Sequence, residues 1–141
     1  MYRLIYVSET SKHIDAKMIS SIIGSASKNN SPAGVSGLLV YRNEFFIQLL
    51  EGERKDVTRL FNKIFADERH KNVEIILAKN IKERFYYNWT LGMIPLSASS
   101  IDDLDDHLQV PFHSLNSDTA EEFMKAIAKQ SKKVAHFGTA S

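Results

Sequence analysis

A six-residue run near the middle of the chain constrains the fold more than any other feature. In Phe45–Leu50, apolar side chains occupy both sets of alternating positions. Because successive side chains of a β-strand point to opposite faces of the sheet, both faces of this strand must be covered. Gln48 falls on the face that it shares with Phe46 and Leu50, where a buried amide without a partner costs about 1–3 kcal/mol. The fold must therefore supply a layer on each side of the strand and a hydrogen-bond partner for Gln48.

Apolar periodicity predicts the order of the elements around this run. The segments with strand character are Tyr2–Val7, Gly37–Arg42, Phe45–Glu51, Val73–Ile81 and Trp89–Pro95, and the segments with helical spacing are Ile14–Ala26 and Val57–Phe65. The resulting order is βαββαβ with an additional fifth strand, the α+β arrangement of ferredoxin-like domains. In that topology strands one and three are neighbours at the centre of the sheet, and both helices cover one face.

The C-terminal third supplies a candidate for covering the second face of the sheet. Asp118–Glu121 is interpreted as a variant of the capping box, and an apolar stripe at helical spacing follows it. A shorter helix is expected at Ile101–Leu108. We therefore divide the chain into a core over residues 1–96 and a C-terminal helical cap and tail over residues 97–141.

Composition excludes several classes of protein. The 141 residues contain no cysteine, which rules out disulfides, a thiolate nucleophile and cysteine-based zinc or iron–sulfur sites. The formal net charge of +1 gives no broad basic field for binding nucleic acid. No window reaches the 18 or so apolar residues of a membrane span, and the five histidines lack metal-binding spacing. We expect a single-domain cytoplasmic protein that binds no metal and contacts neither nucleic acid nor a membrane directly.

Two polar sites do not fit a plain core. Tyr6 lies on the first strand, so if strands one and three are neighbours, Tyr6 and Gln48 meet on the same face. The simplest interpretation is a structural hydrogen bond that fixes the register of the two strands. At Asn29-Asn30, one residue is explained as the cap at the end of a helix, which leaves the other amide for a ligand with a mixed donor and acceptor edge.

The remaining candidates have ordinary structural explanations. The charged segment Asp67–His70 is expected to close the second helix, with its basic residues favourably placed against the helix dipole. Ile22 and Ile64 lie on the apolar stripes of the two helices and are core residues by default.

Taken in order, these features resemble the BLUF family, the flavin-binding module of blue-light sensors. The resemblance runs from about Tyr2 to Leu96 and rests on Arg3–Ser8, Asn29-Asn30, Gly34–Tyr41, Phe46–Gly52, Asp67–His70 and Trp89. Any one of these segments is weak evidence, but their common order and spacing is specific to the family.

The resemblance implies a flavin whose ring lies between the two helices. FAD is the family expectation, and FMN or riboflavin are possible. The ring is expected to be flanked by Ile22 and Ile64, with its pyrimidine edge held by Asn30. Arg69 and His70 are expected at the pyrimidine side or the ribityl region, supported by Asp67. The full set of implied cofactor-binding residues is Tyr6, Ile22, Asn29, Asn30, Gln48, Ile64, Asp67, Arg69 and His70.

The resemblance also implies a photoswitch built on Tyr6 and Gln48. Excited flavin takes an electron and then a proton from Tyr6, and recombination leaves the Gln48 amide rotated or tautomerised. A stronger hydrogen bond to the flavin C4=O then shifts the absorption to the red. The expected receiver of the signal is the fifth strand, because it carries Trp89 and the methionine region.

In the fifth strand the sequence departs from the family pattern. The usual spacing is Trp-x-Met, whereas this chain has Trp89-Thr90-Leu91-Gly92-Met93. Leu91 occupies the usual methionine position, and Met93 lies two residues further along the same strand face. Both residues are therefore candidates for the photoswitch, together with Trp89.

The output is expected to be a change in protein–protein contacts. The 45 residues after Leu96 suffice for a helical cap but not for a cyclase or phosphodiesterase, so we expect no enzymatic activity. A separate protein partner, a homo-oligomer or both are expected to respond to the signal.

Two alternatives share the βαββαβ order. An RNA-recognition-like module requires a Gly-aromatic motif in strand three, which this chain lacks. A small ferredoxin-like hydrolase requires an anion-binding loop after strand one, but Ser8–Ser11 contains no glycine and includes Glu9.

Overall fold

A six-stranded sheet forms the centre of the computed structural model. The structure describes residues 1–10, 34–42, 44–68, 70–85, 91–95, 111–130 and 135–137. The strands are β1 (Tyr2–Thr10), β2 (Ser36–Arg42), β3 (Phe45–Gly52), β4 (His70–Asn80), β5 (Leu91–Pro95) and β6 (Ala135–Phe137). The helices are α1 (Arg54–Phe65), a 3₁₀ turn (Phe112–Ser114) and α2 (Ser117–Gln130).

The strand order in the sheet is β4-β1-β3-β2-β5-β6. Among the first four strands in this order, adjacent strands are antiparallel. β5 runs parallel to β2, and β6 runs antiparallel to β5. The predicted α+β class is confirmed, with strands one and three adjacent inside a four-stranded antiparallel sheet.

The sheet is covered on both faces, as the pattern of Phe45–Leu50 requires. One face, here called the α1 face, carries Leu4, Tyr6 and Leu50, which pack against Val57 and Leu60 of α1. The opposite face, here called the α2 face, packs against α2. Its buried cluster contains Ile5, Val7, Leu38, Val40, Ile47 and Leu49 from the three central strands, with Phe123, Met124 and Ile127 from α2.

A glycine allows β2 to lie close to β3. A Cβ atom added at Gly37 would come within 1.9 Å of the carbonyl oxygen of Leu49. Any larger residue would therefore push the two strands apart. This close approach explains why a glycine stands at the start of a strand that is otherwise apolar.

Helix α1, the second of the predicted helices, ends earlier than the sequence predicts. α1 stops at Phe65, and His70 is already the first residue of β4, where it pairs with Thr10. The backbone N–H of His70 donates to the carbonyl oxygen of Asp67 at 3.1 Å, which closes a turn between the two elements. The prediction that Asp67–His70 closes the helix was wrong, because strand pairing with β1 takes over at His70.

The cap of α2 also differs from the prediction. The N-capping residue is Asn116, whose Oδ1 accepts the backbone N–H groups of Asp118 at 2.9 Å and Thr119 at 3.0 Å. Thr119 Oγ1 accepts the N–H of Asn116 at 3.0 Å in return. The capping box therefore begins at Asn116, not at Asp118, and Glu121 turns toward the sheet instead.

Other expectations concern parts of the chain outside the described residues. These are the predicted helices at Ile14–Ala26 and Ile101–Leu108. β6 was not predicted, because a three-residue strand is too short to show a periodic pattern. Within the described part of the chain, no helix is long and apolar enough to cross a bilayer.

Removing the cap of α2 should destabilise the protein. We expect Asn116→Ala to lower the free energy of unfolding by about 1 kcal/mol, because two backbone donors lose their acceptor. Ser117→Ala, which changes the neighbouring exposed residue, is the matched control. Urea denaturation of the three proteins measures the difference, and equal midpoints for Asn116→Ala and Ser117→Ala would contradict this role of Asn116.

Candidate functional site

The site is built on a hydrogen bond between the two central strands. Tyr6 on β1 and Gln48 on β3 are register partners, and the Tyr6 hydroxyl donates to Gln48 Oε1 at 2.5 Å. The two residues are 1% and 3% exposed, so water competes little for this bond. The prediction that Tyr6 and Gln48 meet on one face is confirmed. Because Oε1 accepts from Tyr6, the amide nitrogen of Gln48 directs its N–H donors elsewhere.

The surroundings of Tyr6 keep its phenol neutral. Burial raises the pKa of Tyr6 far above its ordinary value of 10, and the negative charge of Asp67 acts in the same direction. Both effects disfavour the phenolate. A hydroxyl held protonated in this way is available as a hydrogen-bond donor at every physiological pH.

An aromatic and apolar wall surrounds the Tyr6 ring. The ring of Phe61 on α1 meets it edge-on at a centroid distance of 5.7 Å, and the ring of His70 does so at 6.3 Å. Ile64 packs against the same buried cluster. The structure therefore brings Ile64, Asp67 and His70 near Tyr6. Their contacts with a cofactor stay predictions.

Two hydroxyl residues of this region were missed by the sequence analysis. Ser8 is buried, and its Oγ lies 2.9 Å from Nδ1 of His70. Thr10 is also buried, and its Oγ1 is the one buried side-chain polar atom in the described residues without a hydrogen-bond partner. Strand alternation places both residues on the same face as Tyr6. This alternation could have identified them from the sequence.

The rest of the predicted site is described only in part. Ile22, Asn29, Asn30, Arg69 and Trp89 lie outside the described residues. For Leu91 and Met93 the structure gives the backbone position in β5.

The strand register places Met93 in the same cross-strand row as the Tyr6–Gln48 pair. Gln48 pairs with Leu39 of β2, and Leu39 pairs with Met93 of β5. Leu91 lies two residues earlier in β5 and thus in a different row. The methionine at position 93, two residues beyond the usual position in the family, therefore lies in the same cross-strand row as Gln48.

A match to a family model identifies the family to which the chain belongs. The family model for BLUF, described as sensors of blue light using FAD, matches residues 1–92. The chain belongs to the BLUF family. This membership leaves no support for the alternatives of an RNA-recognition-like module or a small ferredoxin-like hydrolase.

The matched region forms only a small part of several similar proteins. The chain is 34% identical over 89 residues to photoactivated adenylate cyclase subunit beta of Euglena longa, covering 62% of this chain and 10% of that protein. It is 28% identical over 109 residues to the blue light- and temperature-regulated antirepressor BluF of Escherichia coli (strain K12), covering 77% and 26%. The chain thus spans about a tenth of the length of the cyclase relatives that it matches.

Two solved structures match almost the whole chain. The photo-activated state of BlsA has a TM-score of 0.73 at 27% identity, covering 94% of this chain and 99% of the BlsA chain. The dark state of BlrB, a BLUF protein, has a TM-score of 0.79 at 24% identity, covering 91% and 95%, and shows a shared fold.

The described residues of the BLUF site fit a flavin. An isoalloxazine ring needs apolar walls on its faces and both donors and acceptors along its polar edge. Phe61 and Ile64 supply apolar surface, while the Gln48 amide and the unpartnered Thr10 hydroxyl supply hydrogen-bonding groups. The described residues contain no cluster of His, Asp or Glu placed to hold a metal ion.

The burial of Tyr6 predicts that it does not titrate in the folded protein. Because burial and Asp67 both raise its pKa, we expect the tyrosinate absorbance of the native protein to be the same in wild type and Tyr6→Phe up to about pH 11. Alkaline difference spectroscopy at 295 nm measures this. A wild type that shows one more titrating tyrosine than the variant while still folded would contradict the burial of Tyr6.

Proposed function

We propose that this BLUF protein senses blue light through a non-covalently bound flavin and the Tyr6–Gln48 pair. The observation that carries the proposal is the buried hydrogen bond from the Tyr6 hydroxyl to Gln48 Oε1 across the two central strands. The family match over residues 1–92 supports the flavin as the group beside it. The FAD in the family description makes FAD the form we propose, with FMN and riboflavin as alternatives.

The flavin is proposed to lie beside α1 on the α1 face of the sheet. Among the described residues, those proposed to hold it are Tyr6, Gln48, Ile64, Asp67 and His70. Their proximity supports this assignment, because the rings of Tyr6 and His70 are edge-on neighbours and Ile64 belongs to the same cluster. The proposed contacts from outside the described residues are Ile22, Asn29, Asn30 and Arg69.

When bound, the flavin supplies the absorption of blue light and a transient acceptor for one electron and one proton. Tyr6 is the proposed donor of both. The Tyr6 hydroxyl donates its hydrogen bond to Gln48 Oε1, so the proton leaves Tyr6 toward Gln48 along an existing hydrogen bond and returns the same way. The photoreaction is proposed to leave the flavin chemically unchanged.

Gln48 is proposed to store the result of the photoreaction. If its amide rotates, Nε2 replaces Oε1 opposite Tyr6, and the Tyr6 hydroxyl changes from donor to acceptor. The other end of the amide then presents an oxygen where it presented N–H groups, and a tautomerised amide achieves a comparable exchange. Either change forms a buried hydrogen bond in which donor and acceptor are exchanged, which costs little energy. It also changes the hydrogen-bonding groups that Gln48 presents to its neighbours.

Met93 is the residue of β5 that is proposed to respond to Gln48. Leu39 separates it from Gln48 in the register, so a change at Gln48 reaches β5 at this position before Leu91. Trp89 precedes the strand and is proposed as a further reporter of the change.

The output is proposed to be a change in protein–protein contacts. Residues 1–96 are proposed as the photosensor core, a ferredoxin-like domain with a fifth strand, and residues 97–141 as its cap. The matched part of the cyclase relatives is about a tenth of their length, so their catalytic activity is not carried over and no enzymatic activity is proposed. A separate protein or a second copy of the chain is the proposed partner, in the reducing cytoplasm that a cysteine-free chain suits.

Replacing Tyr6 should separate flavin binding from switching. We expect Tyr6→Phe to retain the flavin but to lose the lasting red shift under blue light, because the variant lacks the hydroxyl proton. Gln48→Leu should show the same loss from an altered dark spectrum. Absorption spectra before and after illumination measure both.

Tyr2→Phe is the matched control for this experiment. It makes the same substitution four residues earlier on the same strand and face, so its red shift should equal that of wild type. A normal red shift in Tyr6→Phe would remove Tyr6 from the switch.

The register predicts a difference between the two candidates in β5. We expect Met93→Ala to change the rate of dark recovery severalfold, because Met93 is level with Gln48, whereas Leu91→Ala should stay within about twofold of wild type. Time-resolved absorption after a blue flash measures both rates. A larger effect of Leu91→Ala would contradict the assignment of Met93.

A further inference from the structure

The two central strands carry a second buried polar pair on the opposite face. Arg3 of β1 and Glu51 of β3 are register partners, and Arg3 Nε donates to Glu51 Oε2 at 2.9 Å. They are 4% and 0% exposed. Along β1, Arg3 lies three residues from Tyr6, and along β3, Glu51 lies three residues from Gln48. Because three is an odd number, the ion pair lies on the α2 face while the tyrosine and glutamine lie on the α1 face.

The ion pair holds the loop that follows β4. Both carboxylate oxygens of Glu51 accept the backbone N–H of Phe85, at 2.9 and 3.1 Å. Arg3 Nη2 donates to the carbonyl oxygen of Glu83 at 3.2 Å. The guanidinium also lies 3.6 Å from the centre of the Phe85 ring. This loop, residues 81–85, leads along the chain toward Trp89 and β5.

The same guanidinium holds α2. Arg3 Nη1 pairs with the carboxylate of Glu121, whose other oxygen lies 2.6 Å from Lys79 Nζ. Burial alone would raise the pKa of Glu121, but the hydrogen bonds and charges of Lys79 and Arg3 lower it. Lys125, one helical turn later, places its Nζ 4.9 Å from the centre of the Phe85 ring. The buried Arg3 guanidinium therefore contacts both loop 81–85 and α2.

We propose that Arg3 couples loop 81–85 to α2, so that a displacement of the chain entering β5 loosens the C-terminal helix. The light-driven part of this inference rests on the proposed function, whereas the coupling itself does not. A buried guanidinium cannot give up its carboxylates without a large desolvation cost. When loop 81–85 shifts, the guanidinium follows the Glu83 carbonyl and the Phe85 ring while it keeps its contact with Glu51. Its contact with the partly exposed Glu121 then weakens.

The test compares Glu121→Gln with Glu122→Gln. Both variants remove one carboxylate from α2, but Glu122 is exposed and makes none of the contacts described above. Hydrogen exchange resolved to single amides, on the flavin-loaded full chain in the dark, follows α2 and the Phe85 amide together. We expect Glu121→Gln to speed exchange about tenfold in both places, a factor typical of losing a hydrogen bond to a charged group. Glu122→Gln should match wild type.

The same proteins under blue light test the transmission step. We expect wild type and Glu122→Gln to exchange faster in α2 when lit than when dark. In Glu121→Gln this difference should fall to less than half, while the red shift persists because Glu121 lies on the opposite face from Tyr6. Arg3→Lys, which keeps the charge but cannot contact both carboxylates and the loop at once, should also lose the difference.

Each outcome decides one part of the inference. Faster exchange in α2 with an unchanged Phe85 amide would overturn the coupling. A wild type that shows the red shift but the same α2 exchange in dark and light would overturn the transmission. A wild type with no red shift would defeat the proposed function and the light-driven part together, and the dark comparison would still decide whether Arg3 couples the loop to the helix.

Discussion

The pairing of β1 with β3 in a single register is the constraint on which the rest of the structure depends. It aligns Tyr6 with Gln48 on one face and Arg3 with Glu51 on the other. A slip of one residue would turn one strand over relative to the other, leaving two polar groups and two charges buried without partners. The cost of unpaired polar groups, together with the apolar residues between them, fixes the register. The same hydrogen bond that specifies the fold is thus the bond proposed to switch.

We propose that sensing takes place on one face of the central strands and output on the other. The α1 face combines a neutral, buried phenol with an amide, two hydroxyls and aromatic walls, a set suited to a flavin. The α2 face is mainly apolar and carries the buried ion pair of Arg3 and Glu51. Since both polar pairs sit on the same two strands, a change in the twist of these strands reaches both faces. The proposed connection between the photoswitch and the C-terminal helix runs through β5, loop 81–85 and Arg3.

The sequence alone predicts those parts of the site that depend on strand alternation. The apolar residues around Gln48 predict a strand covered on both faces, and alternation predicts that Tyr6 meets Gln48. The end of α1 was misplaced because charged residues at a helix end look the same as those at the start of a paired strand, and only pairing with Thr10 reveals that His70 belongs to β4. The role of Arg3 was missed because its partners, Glu51, Phe85 and Glu121, come from distant segments.

The most direct test is the absorption spectrum of the purified protein with flavin, recorded in the dark, under blue light and after return to darkness. The buried Tyr6–Gln48 bond predicts flavin bands that move slightly to the red, without bleaching, and return in the dark. Bands that bleach or do not move would contradict a switch made of hydrogen bonds. A protein that takes up no added flavin would contradict the assignment of the α1 face as the cofactor site.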